Sequence, residues 1–320
     1  DAARPRIAPE GCPCRAWGQE MSDLLTHWAA LDDCSRLARH DDRIAPAFRE
    51  VLGDELSFAR LGTISFGGNS WMRPVLEAVR ASGGPGASER NRRNLSFVLG
   101  GLVHQAVDRV MKPVLSEAAG MDWNDAHYRM QGKPGYGPIS EAEIRKVQEV
   151  SGYFDAEVFR EVYLGGEADP VSAFFMGRTT GRGAAFEDVI FGMFQRALLA
   201  CHTLKPDGDN IEAWLDELAR KVQPFYLRVP EWVAAFQTRD PARLAEYGIE
   251  TRFYRRDDPT ILAARTLLAG GVLPDDLHER AIRRGETTST YGEVLQKGLA
   301  YLRNGSAFWA GTTDVLDTSN

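Results

Sequence analysis

Residues 88–119, "SERNRRNLSFVLGGLVHQAVDRVMKPVLSEAA", constrain this chain more than any other stretch. Leu95, Val98, Leu99, Leu102, Val103, Ala106, Val107, Val110, Met111 and Val114 recur at helical spacing, and together they wrap most of the helix circumference instead of forming one stripe. A helix that is apolar on nearly every side must be enclosed by other protein elements. The segment therefore predicts a long central helix that starts near Ser88 or Asn94, runs to about Ala119 and stops at Gly120, with a shell of further elements around it.

The remaining periodicity supplies that shell as helices. Trp17, Met21, Leu24, Leu25, Trp28 and Leu31 fall at helical spacing, and Ile44, Phe48, Val51 and Leu52 form a shorter second helix closed by Gly53. "GTISFGGNS" interrupts the pattern, then Trp71, Val75, Leu76 and Val79 mark a third helix, followed by the loop "SGGPGAS". After a turn-rich segment, Ser140 and Glu143 have capping-box spacing at the head of a helix that continues to Tyr163. "GRTTGRGAAFEDV" feeds a helix over 186–202, and Asp209 caps another. Shorter helices follow at 230–238, 241–247, 259–269, 275–283 and 290–303, and "TRFYRR" is the one passable strand. We read an all-α chain, a multi-helix bundle around a buried central helix. It forms a single domain over 1–320: an irregular arm at 1–16, a core bundle at 17–222 and a helical extension at 223–320.

Charge and cysteine usage narrow the function classes. A formal net charge of −7 argues against a nucleic-acid binder, which would show a basic field. No apolar run approaches the roughly 18 residues of a membrane span. The N-terminal "DAARPRIAPEG" lacks the apolar core of a signal peptide, so a cytoplasmic chain is expected, with an exported mature form left open by the missing initiator Met. Cys12 and Cys14 are spaced too tightly for C-x-x-C chemistry, and Cys34 and Cys201 sit in helical segments as free thiols. Nucleophile elbows of the G-x-S-x-G kind and dinucleotide fingerprints are absent.

His104 and Asp108 stand four residues apart on the central helix, which puts both side chains on one face. An imidazole and a carboxylate so placed either grip one divalent ion or form a hydrogen-bonded polar pair inside the core. In both readings the two groups are linked, because a buried carboxylate without a partner is costly.

The surroundings of that pair resemble the central helix of the zinc-dependent phospholipase C family. Leu99-Gly100, Leu102-Val103, His104, Asp108 and Pro113 fall in step with its pattern, and His27 in "LLTHWAAL" and the turn "ARLGTISFGGNS" correspond to its upstream elements. The likeness covers roughly residues 20–165. It implies an all-helical fold, zinc ligands projecting from several helices, and hydrolysis of phosphate esters, with a small phosphate-containing or lipid-like substrate. Carried over, His104 and Asp108 are the metal ligands, with His27 and His127 the next candidates. The departures are plain: "GGNS" offers Asn69 where the family has an aspartate, Lys112 stands where it often has a histidine, and Gln148, Glu149 and Asp155 occupy the region of its later His-x-x-x-Glu. These losses also suit a catalytically inactive helical binding or accessory protein of the same fold.

Several other residues complete the candidate set. Asp33 and Asp188 are candidate bases, and Asp188, Gln195 and His202 form a heptad-spaced polar stripe. Arg178 and Arg182, in a glycine-rich loop before a helix, suit an anion, and Lys112 is a third cation for the same task. His40 in "ARHDDRI" has the superficial look of an HD dyad, but His27 lies too close upstream for its partner histidine, so a solvated helix-end charge cluster is the better account, and His278 reads as a surface residue.

Overall fold

A 31-residue helix forms the axis of the structure, as its sequence demands. The computed structural model describes residues 24–63, 69–130, 134–163, 165, 235, 238–283 and 285–318. Among these, the chain is helical with no strand. In chain order the helices are α1 (Leu24–Ala38), α2 (Pro46–Asp54), α3 (Leu56–Thr63), α4 (Asn69–Ala81), α5 (Glu89–Ala119), α6 (Trp123–Met130), α7 (Glu141–Tyr163), α8 (Pro241–Glu246), α9 (Pro259–Leu268), α10 (Asp275–Ile282) and α11 (Thr290–Trp309).

α5 is the predicted central helix, with both predicted ends. The Ser88 hydroxyl accepts the Asn91 N–H as N-cap, and Gly120 closes the helix in the left-handed conformation at φ 68°. Its buried residues surround the axis, from Leu95 and Val98 through Val103 and Val107 to Leu115. α1, α2, α3, α4, α6, α7 and α11 all pack against it. No described helix is long and apolar enough to cross a membrane.

The tightest of these contacts is the crossing of α3 over α5, and glycine makes it possible. A Cβ added at Gly62 would stand 1.9 Å from the Phe97 carbonyl oxygen, and one at Gly100 would stand 1.9 Å from that of Ala59. The two backbones therefore touch, with each glycine leaving room for the other helix. α3 was not foreseen as a helix: "LSFARLGT" is too short for its periodicity to register beside the glycine-rich turn that follows.

α1 and α7 are joined at the start of α1. The wholly buried Asp155 carboxylate accepts hydrogen bonds from Leu25 N–H at 3.2 Å and from Thr26 N–H and the Thr26 hydroxyl, both at 2.8 Å. It caps the first turn of α1 from 129 residues away. Burial pushes its carboxyl up to about 6, against the pull of the Thr26 and Leu25 donors. α7 itself begins at the predicted capping box, where Glu143 N–H donates to Ser140 Oγ at 3.2 Å and Ser140 N–H to Glu143 at 2.8 Å.

The C-terminal helices close over α1 and α5. Four of the five short helices expected there fall at 241–246, 259–268, 275–282 and 290–309, while the segment at 230–238 lies largely outside the described residues. The expected strand "TRFYRR" is instead a wide helical turn over Ile249–Phe253 that ends in an extended Tyr254. Phe253 is buried with its ring 4.6 Å from that of Phe154, so its β-forming residues serve the core and not a sheet ladder.

Candidate metal centre

Three of the sequence-predicted residues meet between α1 and α5. His27 comes from the first turn of α1, held in place by the Asp155 cap one residue before it. His104 and Asp108 come from the middle of α5, one turn apart. His27 Nε2 lies 3.4 Å from Asp108 Oδ1, and His104 Nε2 lies 3.4 Å from Asp108 Oδ2. The two imidazole centroids are 4.7 Å apart. One ligand atom from each residue falls within 4.8 Å of the other two. Among the described residues this is the group of histidine, cysteine and carboxylate side chains able to hold a metal ion.

The orientation of His104 follows from the α3–α5 crossing. Thr63 is the last residue of α3, and its carbonyl is one of those a helix end leaves without an internal partner. The Gly62–Gly100 contact brings that carbonyl to 2.9 Å from His104 Nδ1. A carbonyl only accepts, so Nδ1 carries the hydrogen and Nε2 is the nitrogen turned toward Asp108. A lone pair facing a carboxylate oxygen is repulsive unless a cation lies between them: a proton on Nε2 or a metal ion. This is the outer arrangement that fixes the tautomer and direction of metal-binding histidines.

The distances leave room for an ion between these groups. A good N–H···O hydrogen bond spans about 2.7–3.2 Å. Nitrogen and oxygen ligands at about 2.0–2.2 Å from a tetrahedral ion stand about 3.3–3.6 Å from one another. Both His–Asp separations are 3.4 Å, long for a hydrogen bond and compatible with an ion, with His27 facing Oδ1 and His104 facing Oδ2. The donor set of two imidazoles and one carboxylate is also a recognised zinc set that leaves a fourth position open.

Burial is uneven across the site. The His27 side chain is 6% exposed, that of His104 16% and that of Asp108 26%, so one side of the cluster reaches solvent. The burial expected of His104 and Asp108 is only partial, because α5 is less fully covered at this level than its apolar pattern implies. Burial pushes the Asp108 carboxyl up, but charge and hydrogen bonding from His104, and then from His27, outweigh it and hold the group well below the usual carboxylate range. Lys112, one turn beyond Asp108, places its ammonium 2.6 Å from Asp108 Oδ2 on the open side.

The other sequence candidates go elsewhere. Asp33, a candidate base, is wholly buried six residues past His27, on another face of α1, where Arg36, Arg265 and the Tyr291 hydroxyl hold it. Its neighbour Asp32 takes a two-pronged bond from Arg60 and another from Tyr163. Neither aspartate shares the histidine's side, because both are occupied by arginines from α3 and α9. His127 lies on α6 and is not part of the three-residue group. Asn69 does not stand in for the family's aspartate: its amide donates to the Leu316 carbonyl at 2.7 Å and accepts from Thr318 at 2.9 Å. His40 is exposed and its neighbour Asp41 pairs with Arg43 and Arg303, so the two form no HD-type centre. Cys34 is the expected free buried thiol. Asp188, Arg178, Arg182, His202, Cys12, Cys14 and Cys201 lie outside the described residues.

Two contributors were not foreseen. The Thr63 carbonyl is a backbone group and carries no side-chain signal; only "LG" ahead of it hinted at a close helix crossing. Asp155 stood in view as a carboxylate of the right region, but its task is to cap α1 and not to ligate. Comparison of the chain with protein-family models, with curated proteins and with solved structures returns no match.

Proposed function

We propose that this chain binds a divalent metal ion, zinc by its donor set, through His27, His104 and Asp108, and acts as a metal-dependent hydrolase of phosphate esters. The observation that carries the ion is the meeting of His27, His104 and Asp108 with one ligand atom each within 4.8 Å of the others, His104 Nδ1 being committed to Thr63 and Nε2 facing Asp108. The partly exposed side of the cluster supports an open coordination position, as catalytic zinc sites have. Bound there, the ion would supply Lewis acidity to a phosphoryl oxygen and to water. The chain's own residues do the rest. Asp108 spreads its charge over two imidazoles, His104 is kept in one tautomer by Thr63, and Lys112 offers a cation to an anionic substrate at the solvent-facing edge.

A second reading is a metal-free polar cluster in a helical binding or accessory protein. The Lys112 ammonium favours it, because it already neutralises one Asp108 oxygen at 2.6 Å. Elemental analysis of protein purified after growth with added zinc separates the two. The metal reading expects about one ion per chain, falling below about 0.1 in His27→Ala and His104→Ala, since losing one of three ligands removes most of the affinity. Wild-type protein holding less than about 0.1 ion per chain overturns it. Phosphate-ester chemistry is then tested by release of p-nitrophenol from p-nitrophenyl phosphate and bis(p-nitrophenyl) phosphate by metal-loaded protein, and retained ion without turnover of either ester leaves the metal but removes the hydrolase.

A further inference from the structure

We propose that Lys112 regulates occupancy of this centre: its ammonium is the resident counter-cation of Asp108, and an incoming metal ion must compete with it for that carboxylate. The inference rests on the metal reading above. Lys112 is on the same helix as two of the ligands, one turn past Asp108, and its Nζ is 2.6 Å from Oδ2, the oxygen that also faces His104. The Lys112 side chain is 38% exposed, so it stands at the open edge with water to retreat into.

Geometry sets the competition at Oδ2. With Nζ 2.6 Å from Oδ2, an ion bonded to that oxygen at about 2.0–2.2 Å can lie no farther than about 4.8 Å from the ammonium. If Lys112 stays, a divalent ion and a monovalent one repel each other at close range. If it leaves, its own charge-assisted hydrogen bond to Asp108 is lost. Both routes weaken ion binding, and both stabilise the metal-free state. Asp108 and Lys112 are also spaced i, i+4 with the acid first, the favourable order on a helix, so the pair forms readily when no ion is present. An ordinary helix-surface pair would share that spacing; what distinguishes this one is that its acidic partner is also the shared ligand of two histidines.

The experiment measures zinc and cobalt affinity by calorimetry in wild type, Lys112→Met and Lys112→Arg, with melting temperatures recorded in chelator and in excess zinc. Methionine keeps the apolar stem and deletes the charge; arginine keeps the charge. Lys112→Met should bind about tenfold more tightly or better, and Lys112→Arg should stay close to wild type. In chelator Lys112→Met should melt below wild type, and in excess zinc that gap should close or reverse, a change that general damage to the fold does not produce. Equal or weaker binding by Lys112→Met, with wild type still loaded, overturns the role of Lys112 and leaves the metal centre standing. No binding by any of the three chains removes the centre and this inference together.

Discussion

Asp108 bears three cationic or potentially cationic partners on one carboxylate: His27, His104 and Lys112. Replacing it by alanine leaves two imidazoles face to face and an ammonium beside them with nothing between. For fully buried pairs, removal of one partner costs about 3–5 kcal/mol; because a quarter of this side chain reaches water, Asp108→Ala should cost about 1–3 kcal/mol of stability. Urea unfolding in the presence of chelator measures that cost. In excess zinc the gap between wild type and mutant should widen, because an ion held by the native state adds its binding energy to the fold. A gap unchanged by zinc would argue for the metal-free cluster.

Helix pairing decides where those side chains point. The α3–α5 crossing depends on two glycines whose missing Cβ atoms would each strike a carbonyl of the other helix. Carbonyl oxygens of packed helices cannot step aside as a flexible side chain can. Gly100→Ala must therefore push α3 away from α5, and it should destabilise by about 2–4 kcal/mol, above the usual cost of overpacking, even though alanine is the better helix former. The displacement also withdraws the Thr63 carbonyl from His104, so metal affinity should fall along with stability. Gly86→Ala is the control: it meets nothing within 4 Å and should leave both properties alone. If Gly100→Ala binds metal as wild type does, the crossing does not orient the site.

Across the whole molecule, the Asp33 cluster joins the ends of the described chain. Arg265 on α9 and Tyr291 on α11 both reach Asp33 on α1, bringing the C-terminal helices onto the first one. Asp33→Ala strands Arg265 in a largely buried setting and should cost about 3–5 kcal/mol, measured by denaturant unfolding, while metal content of the folded protein stays at the wild-type level. Loss of activity from Asp33→Asn with stability intact would instead restore it as a base. What the sequence alone determined here is what depends on local spacing: helical periodicity, the limits of α5 at Ser88 and Gly120, the Ser140–Glu143 box, and the shared face of His104 and Asp108. Those features follow from the 3.6-residue repeat and from caps within a few residues of each other. His27 was placed beside them only through resemblance, since 77 residues separate it from His104 and no periodicity spans that gap. Only the tertiary structure decided that Asp33 faces arginines, that Asn69 binds Leu316 and Thr318, that Asp155 caps α1, and that a backbone carbonyl aims His104. Each is a contact between groups remote in sequence, set by how closely two helices approach and at what register. That is a property of packed volume and glycine clearance, which a linear pattern does not carry.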